Sequence, residues 1–271
     1  AGSRRQRLGG VIGDVQGTPS DAPTIVRSDV NASIASSGTD EIEVAMGGLV
    51  ASAATTSGGT YYGIVYADSG SVTVSMEAAS SGTVYAGGVV GYINAETEEL
   101  DYIGGLRSFS MQVKAPAGKD LIRLSSKNMK LVYAGGCAGK IVSPKATNEI
   151  RRYLVEGDID IVAERYADSS AVGGLIGDVI ASRTIVYDNL SRGDMLSNVE
   201  NTGFVVGRHV GTRDDTYGMK IIANVHYGSQ DADAKSPLGL MQILKQGLSY
   251  GQEADVSTLS AGLFSALREL D

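Results

Sequence analysis

Gly87-Gly88-Val89-Val90-Gly91, Gly135-Gly136-Cys137-Ala138-Gly139 and Gly173-Gly174-Leu175-Ile176-Gly177 are three copies of one pattern: two glycines, two apolar residues, a third glycine. The pattern extends backward to Gly47-Gly48-Leu49-Val50-Ala51 and Gly9-Gly10-Val11-Ile12-Gly13, and forward to Gly203-Phe204-Val205-Val206-Gly207. The first glycines, at 9, 47, 87, 135, 173 and 203, are 38, 40, 48, 38 and 30 residues apart, a mean spacing of about 39. Such recurrence marks a repeat architecture, in which each unit buries its apolar face only against its neighbours.

The positions flanking the glycines form columns. Two residues past the last small residue stand Val15, Ala53, Ile93, Ile141, Val179 and His209, apolar in five of six copies. One residue past it stand Asp14, Ser52, Tyr92, Lys140, Asp178 and Arg208, mostly polar. This alternation is that of a strand with one buried and one outward face. The inward residues Val11, Leu49, Val89, Cys137, Leu175 and Val205 precede an apolar residue and then Gly or Ala, and a small residue within a strand lets a neighbouring backbone approach closely.

A second unit follows each glycine pair by roughly 20 residues, most clearly in Ile150-Arg151-Arg152-Tyr153-Leu154-Val155-Glu156-Gly157-Asp158-Ile159 and Val186-Tyr187-Asp188-Asn189-Leu190-Ser191-Arg192-Gly193-Asp194-Met195. Val65–Val72 and Val26–Val30 are looser versions. Each reaches a turn of Gly or Ser with Asp or Ser and restarts an alternating strand, as at Ile159 and Ile161. The expectation is an all-β chain, a β-solenoid or β-helix-like stack of about six ~39-residue repeats over residues 1–230. The long interval from 87 to 135 places an insertion around Ala115-Pro116-Ala117-Gly118-Lys119-Asp120.

The Gly-Gly-Leu-Ile-Gly start at 173–177, with Asp188-Asn189-Leu190-Ser191-Arg192-Gly193 downstream, resembles the GLUG-motif repeats of bacterial secreted and surface proteins. There the second element runs Ile-x-Asn-Ser-Tyr-Ala-Thr-Gly-x-Val. The resemblance covers roughly residues 8–228, is sharpest at 173–195, and departs from the family in the second element. It implies a solenoid-like module of adhesin-type proteins and brings no catalytic residues.

After Gly228 the repeat stops. Residues 231–271 form a second region, a polar linker followed by a helical cap or assembly segment. Leu238, Met241, Leu244 and Leu248 recur at helical spacing, with Ser236-Pro237 as N-cap and first position. Leu259, Leu263, Phe264, Leu267 and Leu270 suggest a second helix beyond Gly251. Such a segment either covers the end of the last coil or joins another chain through residues 237–271.

Composition restricts the chemistry. Of 271 residues, 36 are Gly, one is Cys and two are His, and the formal charge is −8. An acidic chain lacks the basic face of a nucleic-acid binder. One Cys excludes an internal disulfide and Cys-rich zinc sites. No apolar run approaches the ~18–20 residues that span a bilayer. The opening Ala1-Gly2-Ser3-Arg4-Arg5-Gln6-Arg7 is too polar for a signal peptide, so a leader would lie outside this sequence.

Ala134–Ile141 imitates a phosphate loop but has Ala134 for the first glycine and Ile141 for the magnesium-binding hydroxyl, and the repeat accounts for its glycines. Cys137 and His209 fall in core columns, as a buried thiol and a packed histidine. His226 ends a strand without a partner signal, and Asp214, Asp215, Asp231 and Asp233 read as loop charges. Asn31-Ala32-Ser33 and Asn189-Leu190-Ser191 match the glycosylation sequon.

Asp158 and Asp160 are the sole candidate metal or catalytic pair. Alternating with Ile159 and Ile161, they are expected on one outward strand face with Arg151 and Arg152 nearby. There they would hold calcium, serve as acid and base on a polysaccharide, or be solvated charges. No other cofactor is implied. The expected function is a non-enzymatic extracellular or cell-surface module for adhesion or assembly, meeting other protein chains or surface glycans. The alternatives are a filament or virion subunit docked through the C-terminal helices, and a glycan-active β-helix enzyme.

Overall fold

The computed structural model describes residues 4–17, 24–26, 32–36, 42–55, 61–64, 72–77, 82–94, 103–126, 129–163, 166–211, 219–222 and 224–227. Among these residues every strand pairing is parallel and there is no helix. The chain is a parallel β-solenoid. The region 231–271, with its expected helices, lies outside the described residues.

Three sheets run along the stack. The first has six strands: Arg4–Gly9, Ile42–Gly47, Thr83–Gly87, Leu131–Gly135, Ala171–Gly173 and Asn201–Gly203. Their last residues, Gly9, Gly47, Gly87, Gly135, Gly173 and Gly203, pair in register, so the glycine ladder of the sequence is a ladder in space. The chain then turns through a two-residue arch into the second sheet. Its strands begin at Ile12, Val50, Val90, Ala138, Ile176 and Val206.

That sheet continues round a corner, because two of its strands are long: Ala138–Glu156 and Ile176–Tyr187. The corner is marked by register shifts after Ser143 and by two non-glycine residues of positive φ, Arg152 (56°) and Asp188 (54°). Ile103–Lys114, Tyr61–Ile64 and Thr24–Val26 pair onto the far arm on one side. Leu190–Arg192, Met219–Ile222 and Val225–Tyr227 do so on the other. The third sheet contains Ala32–Ser36, Val72–Glu77, Ile122–Ser126, Ile159–Ala163 and Met195–Ser197.

The alternation read from the sequence fills the core. Ala53, Ile93, Ile141 and Val179 are buried, as are Leu49, Val89, Cys137, Leu175 and Val205 from the arches. Ile122, Leu124, Ile159, Ile161 and Met195 close the core from the third sheet, and Tyr153 from the far arm fills its centre.

The segment 115–120 is a turn that holds part of the insertion the long interval pointed to. Seven residues, 115–121, separate Lys114 from Ile122, where the next rung has only Gly157 and Asp158 between the paired positions Glu156 and Ile159. A turn holds the extra residues, with Lys119 N–H donating to Pro116 O at 3.0 Å and Gly118 at a φ of 70°.

Candidate functional site

Asp158 and Asp160 take different roles. Asp158 sits in the turn before Ile159–Ala163. Its Oδ1 accepts from Asp194 N–H of the next rung at 2.8 Å, and its carbonyl accepts from Leu121 and Ile122 N–H of the preceding one. Gly157 and Gly193 before these aspartates have φ of 138° and 136°, a conformation that favours glycine. The turn is therefore a stacked element, and one oxygen of the Asp158 carboxylate is directed to backbone. Asp160 does face outward, in register with Arg123 and Leu196.

Partial burial raises the Asp160 pKa, with further upward pushes from the Asp120 and Asp158 charges and a downward one from Arg123. Arg123 is loosely placed, 3.9 Å from Asp160 and 3.5 Å from Asp120. Among the described residues no three His, Cys, Asp or Glu side chains group as a metal site. Arg151 and Arg152 do not join the aspartates. Arg151 donates to the Tyr187 hydroxyl at 2.6 Å, and that hydroxyl donates to Glu149 at 3.0 Å. Arg152 forms the corner, its N–H donating to Asp188 O.

The polar column of the glycine repeat is far less exposed than alternation predicts. Asp178 is 0% exposed and Ser52 is 4% exposed. The cause lies in the small residue that ends each copy of the pattern, glycine at 13, 91, 139, 177 and 207 and alanine at 51. A Cβ on Gly139 would stand 2.7 Å from Ala86 N and 2.8 Å from Tyr133 O, so the second sheet rests on the backbone of the first. Beyond that contact the two sheets close over a second, smaller cluster of Ala45, Ala51, Tyr85, Tyr133 and Ala171. The polar column lines this cluster.

Tyr85 stacks on Tyr92 at 4.3 Å and on Tyr133 at 5.5 Å. Burial, reinforced by the neighbouring phenols and Glu43, holds the Tyr85 hydroxyl well above the usual tyrosine range. Lys140 lies 4.0 Å over the Tyr133 ring and 3.1 Å from Asp178. Arg208 grips Asp178 with two bonds, Nε to Oδ1 at 2.8 Å and Nη2 to Oδ2 at 3.0 Å. These bonds raise the Arg208 pKa further. At the other end of the ladder Arg7 pairs with Glu43, and Ser52 donates to Asp14.

The alternation of the sequence placed Lys140, Asp178 and Arg208 on an outward face. The signal that could have corrected it is the succession Lys140, Asp178, Arg208, in which opposite charges become neighbours once copies are stacked.

Cys137 is fully buried, which pushes its thiol up to about 12 against a smaller opposing effect of a hydrogen bond with Tyr153. His209 is half-buried in register with Val179, and His226 pairs with Ser191. Asn189 is 2% exposed and forms a ladder. It accepts from Tyr153 N–H at 2.9 Å and donates to Ile150 O at 3.2 Å and Asn224 Oδ1 at 2.6 Å. That sequon asparagine is thus an interior rung contact. Asn31, Asp214, Asp215, Asp231 and Asp233 lie outside the described residues, and among the described residues no helix is long and apolar enough to cross a membrane.

The fold and these contacts define a parallel β-solenoid with a buried charge and tyrosine ladder beside its main core. Comparison with family models, curated proteins and solved structures gave no match.

Proposed function

We propose that the protein is a non-enzymatic extracellular or cell-surface structural module, built of about six ~39-residue GLUG-like repeats, that acts in adhesion or assembly. The carrying observation is that its chemistry-bearing side chains serve rung-to-rung contacts. Asp178 is held by Lys140 and Arg208, Asp158 by Asp194 N–H, and Asn189 by Tyr153, Ile150 and Asn224. Outward side chains are repeated at the spacing of the stack. Glu156 lies 3.8 Å from Lys114 and 3.3 Å from Arg192, on one face, and both cations are at least half exposed. Repetition lets weak contacts to a glycan or protein surface add. Residues 231–271 then cap the stack or dock it to a partner.

The test is adsorption of the full chain to cells and immobilised acidic glycans, compared with the Arg123→Glu/Arg192→Glu variant. Salt-sensitive binding that weakens in the variant supports the reading. Turnover of a polysaccharide that Asp158→Asn abolishes without loss of fold overturns it.

A further inference from the structure

Most columns of the stack repeat one kind of residue. Gly47, Gly87, Gly135, Gly173 and Gly203 pair in succession, and so do Val50, Val90, Ala138, Ile176 and Val206. Such columns do not distinguish the next rung from the one after it. Gly203 would suit Gly135 as well as Gly173, and Val206 would suit Ala138 as well as Ile176. Repeat stacks nucleate at one place and grow by adding neighbours, so the folding chain meets this choice at each rung. A wrong choice leaves a whole repeat looped out, the kind of misassembly to which repeat chains are prone.

Two columns do distinguish the rungs. Beside the tyrosine cluster, Lys140, Asp178 and Arg208 are register partners on the fourth, fifth and sixth rungs. On the outer face, Lys114, Glu156 and Arg192 are register partners on the third, fourth and fifth. Both ladders run cation, carboxylate, cation, and they are offset by one rung. Every junction from the third rung to the sixth therefore joins opposite charges. Glu156 lies 3.8 Å from Lys114 and 3.3 Å from Arg192, and Asp178 lies 3.1 Å from Lys140 and 2.8 Å from Arg208.

Leaving out a rung would reverse this match. Without the fourth, Lys114 would stand beside Arg192; without the fifth, Lys140 would stand beside Arg208. Like charges directly opposite each other on a sheet are destabilising, and more so where water is scarce, as around the fully buried Asp178. Stability alone does not account for the buried set. Apolar residues of similar volume often replace a buried charged triad without loss, and the best-attested use of such groups is to fix register.

We propose that these two ladders set the order of the rungs: as the chain folds, they admit the adjacent repeat at the growing edge of the stack and reject the one after it. The selection acts during assembly, because a completed stack already holds each rung in place through its buried apolar surface.

The test is refolding of the full chain from denaturant at low concentration, followed by amide exchange read by mass spectrometry. Wild type is compared with Lys140→Met/Asp178→Leu/Arg208→Met, which removes the buried ladder without creating like-charged neighbours. Wild type should refold to one population. The variant should add a second, in which Ala171–Gly173 and Ile176–Tyr187 of the fifth rung have lost protection while Val206–Gly211 of the sixth keeps it. A single population with the wild-type pattern in the variant, or loss of protection over the fifth and sixth rungs together, overturns the proposal. The outer ladder supplies a second reading if the apolar variant does not refold. Glu156→Lys/Arg192→Glu keeps the charge composition but moves the partner of Lys114 two rungs away. It should refold with a population open over Ala138–Glu156 and protected over Ile176–Tyr187, and a single population overturns the proposal.

Discussion

Removing the Asp178 carboxylate should cost far more than removing the carboxylate of Asp14, although the two occupy the same column of the repeat. Asp178 is fully buried and sits between Lys140 and Arg208, whose side chains retain only 12% and 24% exposure. Asp178→Ala leaves two cations facing each other in a partly dry cleft. Taking one partner from a buried pair costs about 3–5 kcal/mol, because the partner left behind stays desolvated. Asp14 is exposed and its removal leaves the Ser52 hydroxyl without its acceptor, so Asp14→Ala should cost about 1 kcal/mol.

A repeat stack need not unfold in one step, so the readout should be local. Amide exchange over Ala171–Gly173 and Val206–Gly211 measures the loss where it arises. At a few degrees per kcal/mol for a chain of this size, the melting temperature of that segment should fall by roughly 10 °C. Arg208→Ala in the Asp178→Ala background should recover part of the loss by removing one stranded cation. Equal effects of Asp178→Ala and Asp14→Ala, within about 0.5 kcal/mol, would refute the buried ladder.

Asn189→Ala strands the Tyr153 N–H and the Ile150 carbonyl, so equilibrium denaturation should show a loss of about 2–6 kcal/mol, at 1–3 kcal/mol for each buried group left unpaired. Native Cys137 should resist a thiol reagent until the chain is unfolded, whereas rapid labelling of the folded protein would contradict its burial. Gly139→Ala should destabilise the stack by more than about 2 kcal/mol, because the new Cβ meets backbone atoms that cannot swing aside; a melt close to wild type would contradict the contact between the sheets. Asp160 has a raised pKa, so the folded state holds its proton more tightly than the unfolded chain and its charge lowers stability above the folded pKa. Asp160→Asn should thus be slightly more stable than wild type at neutral pH, with the gain vanishing as pH falls through the carboxylate range.

What could be read in advance followed from locality. Register comes from the glycines, since Gly9, Gly47, Gly87, Gly135, Gly173 and Gly203 pair as the spacing implies. The buried column of Ala53, Ile93, Ile141 and Val179 obeys the two-residue period that identified it. The period fails one residue earlier, at Ser52 and Asp178, because alternation divides a strand into two faces but does not say that the outer face meets water. That depends on how closely two sheets approach, which Gly139 and its counterparts determine. The Asp158 contact was hidden for a related reason: the φ of 138° at Gly157 turns the chain there and directs one carboxylate oxygen to Asp194 N–H, which alternation with Ile159 does not reveal. The asparagine ladder through Asn189 and Asn224 was hidden because it depends on the corner at Arg152 and Asp188, which has no glycine to announce it.

Distances between spin labels along one column test the in-register parallel stack most directly. Ala35, Arg123, Asp160 and Leu196 belong to a single column of the third sheet, linked through Ser75. Ala35 and Leu196 are exposed and four rungs apart, although 161 residues separate them in sequence. At about 4.8 Å per strand their backbones should lie about 19 Å apart, and those of Ala35 and Asp160 about 14 Å apart. Labels on Ala35→Cys/Leu196→Cys and Ala35→Cys/Asp160→Cys, with Cys137 buried and silent, should give electron spin resonance distances that differ by about one strand spacing. Two distances that coincide, differ by several spacings or exceed about 35 Å would contradict the stack.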